Sequence, residues 1–149
     1  MGCLRQYFCS AGRAHISIFG GKMPKVNMVP KAVGPYSAAK AAGNVIAVSG
    51  QLPLNPETGQ IEVVDVTAQA AQSLRNVAAV LAEFGCTLND VFKTTVLLAD
   101  MDDFAAVNEV YANAFKDVEK YPARSAFQVA ALPMGARVEI EALATCPTK

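Results

Sequence analysis

Apolar residues recur every three or four positions between residues 66 and 84. Val66, Ala70, Leu74, Val77, Ala78, Leu81 and Phe84 fall on one stripe, and Gln69, Gln72, Arg75, Asn76 and Glu83 lie mostly off it. The pattern predicts an amphipathic helix over Val66–Phe84, lying on a sheet. Asp65 or Thr67 can cap its first turn, and Gly85 stands where a left-handed residue ends a helix. A shorter stripe of Phe104, Val107, Tyr111 and Phe115 predicts a second helix over Phe104–Phe115. Asp100, Asp102 and Asp103 precede it and favour its dipole.

Elsewhere the period is two, or the apolar run is continuous. Tyr36–Ala41 and Val45–Ser49 read as strands of a hairpin across the turn pair Gly43-Asn44. The second of them is nearly all apolar, which predicts burial on both faces. Gly50-Gln51 breaks it, and Leu52–Gln60, with Pro53, Asn55, Pro56 and Gly59, is a loop. Asp90–Leu98 is a strand around the β-branched run Thr94-Thr95-Val96.

Tyr121–Val129 is a further strand, entered through Pro122, which biases Tyr121 towards an extended conformation. Arg124, Ala126 and Gln128 share one of its faces; Ser125, Phe127 and Val129 share the other. The last strand, Ala136–Ala144, sets Val138, Ile140 and Ala142 against Arg137, Glu139 and Glu141. The short turn Leu132-Pro133-Met134-Gly135 predicts that these last two strands form a hairpin, which would bring a carboxylate towards Arg124. The order is ββαβαββ: an α+β domain with two helices on one face of a mixed sheet.

The chain of 149 residues suffices for one such domain. Its zero net charge hides an asymmetry. Residues 1–22 hold Arg5, Arg13 and Lys22 and no acid, a charge of +3; residues 23–149 hold 10 Lys and Arg against 13 Asp and Glu, a charge of −3. The basic leader, with Leu4, Tyr7, Phe8, Ala11, Ala14 and Ile18 at helical spacing, reads as a mitochondrial transit peptide or as a disordered tail. The protein is then mitochondrial or, without a working transit peptide, cytoplasmic. The domain proper is residues 23–149. A mildly acidic body argues against a nucleic-acid surface, and no apolar run reaches membrane-spanning length.

Chemistry narrows further. The only histidine, His15, lies in the leader, and there is no GxSxG or Gly-rich phosphate loop, so Ser/His and Cys/His nucleophilic catalysis is excluded. The four cysteines, Cys3, Cys9, Cys86 and Cys146, have no metal-ligand spacing. The two in the body make no disulfide framework; a reducing compartment fits, and Cys86 reads as structural. Lys93 could form a Schiff base only if buried. Arg124 is either a surface arginine on an edge strand or a planar fork for a carboxylate or phosphate. Glu139 or Glu141 is either part of an alternating charged face or a group that positions and deprotonates water.

Five segments carry a resemblance: Gly34-Pro35-Tyr36-Ser37, Val48-Ser49-Gly50-Gln51-Leu52-Pro53, Gln72-Ser73-Leu74-Arg75-Asn76, Pro122-Ala123-Arg124-Ser125 and Val138-Glu139-Ile140-Glu141-Ala142. In this order and spacing the chain resembles the reactive-intermediate deaminase A (YjgF) family over about residues 27–145. The resemblance implies a chorismate-mutase-like fold and a homotrimer with sites between subunits. It implies hydrolysis of 2-imino or enamine acids, such as 2-iminobutanoate and 2-iminopropanoate, to 2-keto acids and ammonia. These compounds are released by pyridoxal-phosphate dehydratases, which the activity would protect. No cofactor or metal is implied.

By the same resemblance, Arg124 grips the substrate carboxylate and Glu139 handles the attacking water. Tyr36 closes the pocket, Ser49 and Gly50 line it, and Asn108 brings an amide near it. Many relatives carry a cysteine two residues after the arginine; Ala126 stands there, which leaves water as the attacker. A keto-acid-binding regulatory module is the alternative reading. RNA cleavage with inhibition of translation is another, and it fits poorly with an acidic body that lacks histidine.

Overall fold

The computed structural model describes residues 29–32 and 34–146. The leader of residues 1–22 lies outside the described residues. Five strands and two helices follow in the expected order. They are β1 (Ala39–Ala42), β2 (Val45–Gln51), α1 (Val66–Glu83), β3 (Val91–Leu98), α2 (Phe104–Ala114), β4 (Ala123–Gln128) and β5 (Val138–Thr145). Short 3-10 turns precede β3, α2 and β5.

Helix α1 begins and ends where its sequence dictates. The Asp65 carboxylate accepts from the Ala68 amide, and Gly85 takes the left-handed φ of 74° beyond the last turn. Its apolar stripe packs on the sheet, where Val77, Val80, Leu81, Val96, Leu98, Val138 and Ile140 are all nearly or fully buried. Losing one such leucine to alanine costs about 2–5 kcal/mol. Asn76, buried on the same helix, donates to the carbonyls of both Leu52 and Leu54 at 2.9 Å. That clamp fixes the segment leaving β2. No described helix is long and apolar enough to cross a membrane.

The sheet order is β1-β2-β5-β3-β4, which overturns the expected hairpin of the last two strands. β4 lies parallel to β3, with Thr94 opposite Arg124 and Val96 opposite Ala126. Helix α2 is the crossover that parallel pairing requires. Residues 129–137 then carry the chain past β3, and β5 inserts antiparallel between β2 and β3. The burial of β5 explains the choice. Val138, Ile140, Ala142 and Ala144 are each at most 2% exposed, as a central strand requires, whereas β4 is exposed along much of its length.

Three smaller expectations change. Gly50-Gln51 does not break β2; the strand runs on to Gln51, with a pairing irregularity between Val48 and Gln51 that takes in Ser49 and Gly50. β2 is covered on its helix side only, since Ala47 between buried Ile46 and Val48 is exposed. Cys86 and Cys146 are joined by a disulfide with Cα atoms 5.9 Å apart, so the body cysteines form a pair tying the end of α1 to the end of β5. Cys86 itself is buried, in keeping with a structural role.

Candidate active site

The register settles which way each candidate faces. Arg124 is paired with Thr94, which is buried under the helices. Arg124 therefore lies on the helix side of the sheet, at its outer edge. Its guanidinium carbon sits 4.7 Å from the centre of the Tyr111 ring and 5.5 Å from that of Phe104, both on α2. Asn108 lies between these two on the same helical stripe. The described residues contain one ion pair, Arg137 to Asp103 at 2.6 Å, so no described carboxylate pairs with Arg124.

Glu139 is paired with Leu97, on the opposite side from the buried Val96 and Leu98. It therefore faces away from the helices. Its carboxylate lies directly over Gly50: a Cβ at that position would come within 1.8 Å of Glu139 Oε1 and 2.8 Å of Cδ. Any side chain at this position would displace the Glu139 carboxylate from where it lies. Partial burial raises the Glu139 carboxyl above the ordinary glutamate range, and the neighbouring negative charge of Glu141 adds to the rise.

Tyr36 and Gly50 line one cleft, together with Lys31, Gln51 and Leu52. Ser49 closes the same corner by donating from Oγ to the Ser37 carbonyl at 2.7 Å, and Gln51 Nε2 donates to the Ser49 carbonyl at 3.0 Å. A hollow of about 380 Å³ beside it, between Lys40, Ser49, Lys93 and Glu141, takes in Ser49 alone of the residues the resemblance names, together with Lys93 and Glu141. Lys93 is half-buried and donates to the Thr94 carbonyl and to Ser125 Oγ, at 2.6 and 3.2 Å. Among the described residues, no cluster of three or more His, Cys, Asp or Glu side chains could hold a metal ion.

The expected residues thus fall into two groups. Tyr36, Ser49, Gly50 and Glu139 gather where β2 meets β5. Arg124 and Asn108 gather where β4 meets α2. The groups stand on opposite faces of the sheet, with β3 between β5 and β4. The expectation that folding β5 back would carry a carboxylate to Arg124 within one chain is overturned by this geometry. Sequence reasoning placed Phe104 and Tyr111 on the core side, as found, but did not foresee that both rings also lie under Arg124. Their spacing of seven on the helix ahead of the arginine strand was the available signal.

The chain is similar to known proteins in sequence and in fold. The profile of the Endoribonuclease L-PSP family matches residues 27–146. The 2-iminobutanoate/2-iminopropanoate deaminase of Mus musculus is 49% identical over 123 residues, 83% of this chain and 90% of its own. The crystal structure of the YjgF gene product from E. coli superposes with a TM-score of 0.76 at 45% identity, covering 80% of this chain and 94% of that one. E. coli TdcF with bound serine gives a TM-score of 0.77 at 42% identity, with coverage of 80% and 94%. The ordered motifs, the five-stranded mixed sheet under two helices and these likenesses together make the chain a member of the Endoribonuclease L-PSP (YjgF/RidA) family.

Proposed function

We propose that the protein hydrolyses reactive 2-imino acids, among them 2-iminobutanoate and 2-iminopropanoate, to 2-keto acids and ammonia, and that its sites form between the chains of a homotrimer. The observation that carries this reading is the separation of two complementary half-sites. Arg124 presents a guanidinium with no carboxylate of its own, and Glu139 presents a partly desolvated carboxyl over Gly50. Neither can meet the other within a chain. A contact repeated head-to-tail around a ring would set the β4 edge of one chain against the Glu139 face of the next. The exposed Ala47 face of β2 is the kind of surface such a contact covers.

The chemistry follows from the groups. The two N–H edges of Arg124 hold the substrate carboxylate, which fixes the imine carbon. The Glu139 carboxylate takes a proton from water as its oxygen bonds to that carbon, and the C=N π pair moves to nitrogen. With the imine entering in its protonated form, the same carboxyl then gives the proton to the amine; a hydroxyl lone pair closes the C=O bond as the C–N bond breaks with its electrons on nitrogen, and the departing ammonia takes the hydroxyl proton. One water enters, and a 2-keto acid and ammonium leave. A carboxyl held above the usual range suits both halves of this shuttle. The mouse relative is named for this reaction, and TdcF carries serine, whose α-carboxylate is the group assigned here to Arg124. Removal of such imines would spare pyridoxal-phosphate enzymes from them.

The test couples the purified protein to a threonine dehydratase and follows ammonia or 2-oxobutanoate. Faster release than the uncatalysed rate, lost in Arg124→Ala, is expected. Saturable 2-oxobutanoate binding without any acceleration would instead support a keto-acid-binding module. The family's endoribonuclease name finds little support in a body of charge −3, from 10 basic against 13 acidic residues.

A further inference from the structure

An arginine on an exposed edge strand has a long stem to immobilise before its fork can point at a ligand. An acidic side chain could hold it, but that acid would occupy the N–H edges that a substrate needs. The faces of the Phe104 and Tyr111 rings lie under the guanidinium carbon instead, with ring centres 5.5 and 4.7 Å away. A ring attracts the cation through its π cloud without supplying a carboxylate-like acceptor to the N–H groups, so the platform and a carboxylate do not compete.

The platform is itself anchored. The Tyr111 hydroxyl and Thr94 Oγ1 are 2.7 Å apart, and both residues are buried. Thr94 is the register partner of Arg124 on β3. The rung of the sheet that carries the arginine therefore also holds the ring beneath it. Phe115 backs Tyr111 with ring centres 4.6 Å apart. Burial raises the Tyr111 hydroxyl above its ordinary value, although the Thr94 hydrogen bond and the Arg124 charge oppose the rise. The platform stays neutral across the physiological range, and its pull on the guanidinium does not vary with pH there.

From this geometry we infer that Tyr111, anchored by Thr94 and assisted by Phe104, is a positioning residue that aims Arg124 at a carboxylate, so that it sets substrate affinity rather than turnover. The inference rests on the assignment of Arg124 as the carboxylate-binding group. It applies to ligands that carry the anion and not to their neutral analogues.

The experiment compares Tyr111→Leu, Phe104→Leu and Tyr111→Phe in steady-state imine hydrolysis. In parallel it measures equilibrium binding of 2-oxobutanoate and of its uncharged amide. Each leucine variant is expected to raise KM and the 2-oxobutanoate Kd about five- to thirtyfold, with kcat held within about twofold and amide binding unchanged. Tyr111→Phe keeps the ring and should retain most of the affinity. Phe104 stands at the rim rather than in the core, so its variant reports even where Tyr111→Leu fails to fold. Unchanged KM in the leucine variants, or equal loss of amide and carboxylate binding, overturns the inference. Full activity in Arg124→Ala would instead sink the reading on which it rests.

Discussion

The β4 edge and the corner over Gly50 prepare charge in opposite ways. At the edge, a cation is held by aromatic faces, and its hydrogen-bonding edges stay open. At the corner, an acid is pressed against a backbone that has no side chain, and burial works against its ionisation. The first arrangement suits a group that must stay charged and bind. The second suits a group that must gain and lose a proton. Each is built on the sheet, and β3 and the thickness of the sheet keep them apart within a chain. Division between subunits is the economical account of two prepared but separated halves.

Breaking either half should cost activity, but not in the same way. Glu139→Gln removes the proton shuttle and should lower kcat by about 10²- to 10⁴-fold in the coupled ammonia assay. Arg124→Ala should lower kcat/KM by roughly a hundredfold, mostly through KM, as the loss of a charge-assisted carboxylate contact would. If the two variants had the same kinetic signature, the division of roles would be wrong.

Gly50→Ala tests the corner without replacing a charged group. The added methyl meets the Glu139 carboxylate at 1.8 Å, so that carboxylate must swing away. Activity should fall by about tenfold or more while the thermal midpoint changes by only a few degrees. Retention of full kcat would show that the position of Glu139 is immaterial.

The pH dependence separates the two regions more finely. If the carboxylate form of Glu139 is the base, as proposed, its raised pKa should place the acid limb of kcat above the ordinary glutamate range. Because Glu141 contributes to the rise, Glu141→Gln should move that limb to lower pH; a limb that does not move would remove Glu139 as its source. Stability runs the other way. A carboxyl raised on folding destabilises the native state fully above its folded pKa, and not at all below its unfolded one. Glu139→Gln should therefore be more stable than wild type at neutral pH, with the gap closing as pH falls through the raised pKa towards 4.5. A gap that widened on acidification would reverse the sign of the shift.

Much of this was legible in residues alone. The stripe over Val66–Phe84, its Asp65 cap and Gly85 stop mark α1 within a residue of its observed end. The alternation in Val138–Ala142 places Glu139 opposite the core face, as found. What was not legible was pairing. Residues 132–135 look like a hairpin turn, but turn chemistry is local, and a strand's partner is chosen by burial over the whole sheet. Alternation likewise grouped Arg124 with Ala126 and Gln128 without saying that α2 would cover that side. Gly50 looked like a strand end because nothing in its neighbours reveals a carboxylate from residue 139.

The central claim is that one chain supplies Arg124 and its neighbour supplies Glu139, and subunit mixing tests it most directly. Arg124→Ala and Glu139→Gln proteins are unfolded together in equal amounts, refolded and assayed at substrate well below the wild-type KM, where each alone has about a hundredth of wild-type activity or less. In a head-to-tail trimer every mixed ring regains one intact site of three, and random assembly makes three-quarters of the rings mixed, so activity should return to about a quarter of wild type. A mixture no more active than its parents would place both groups in one chain's site and contradict the account.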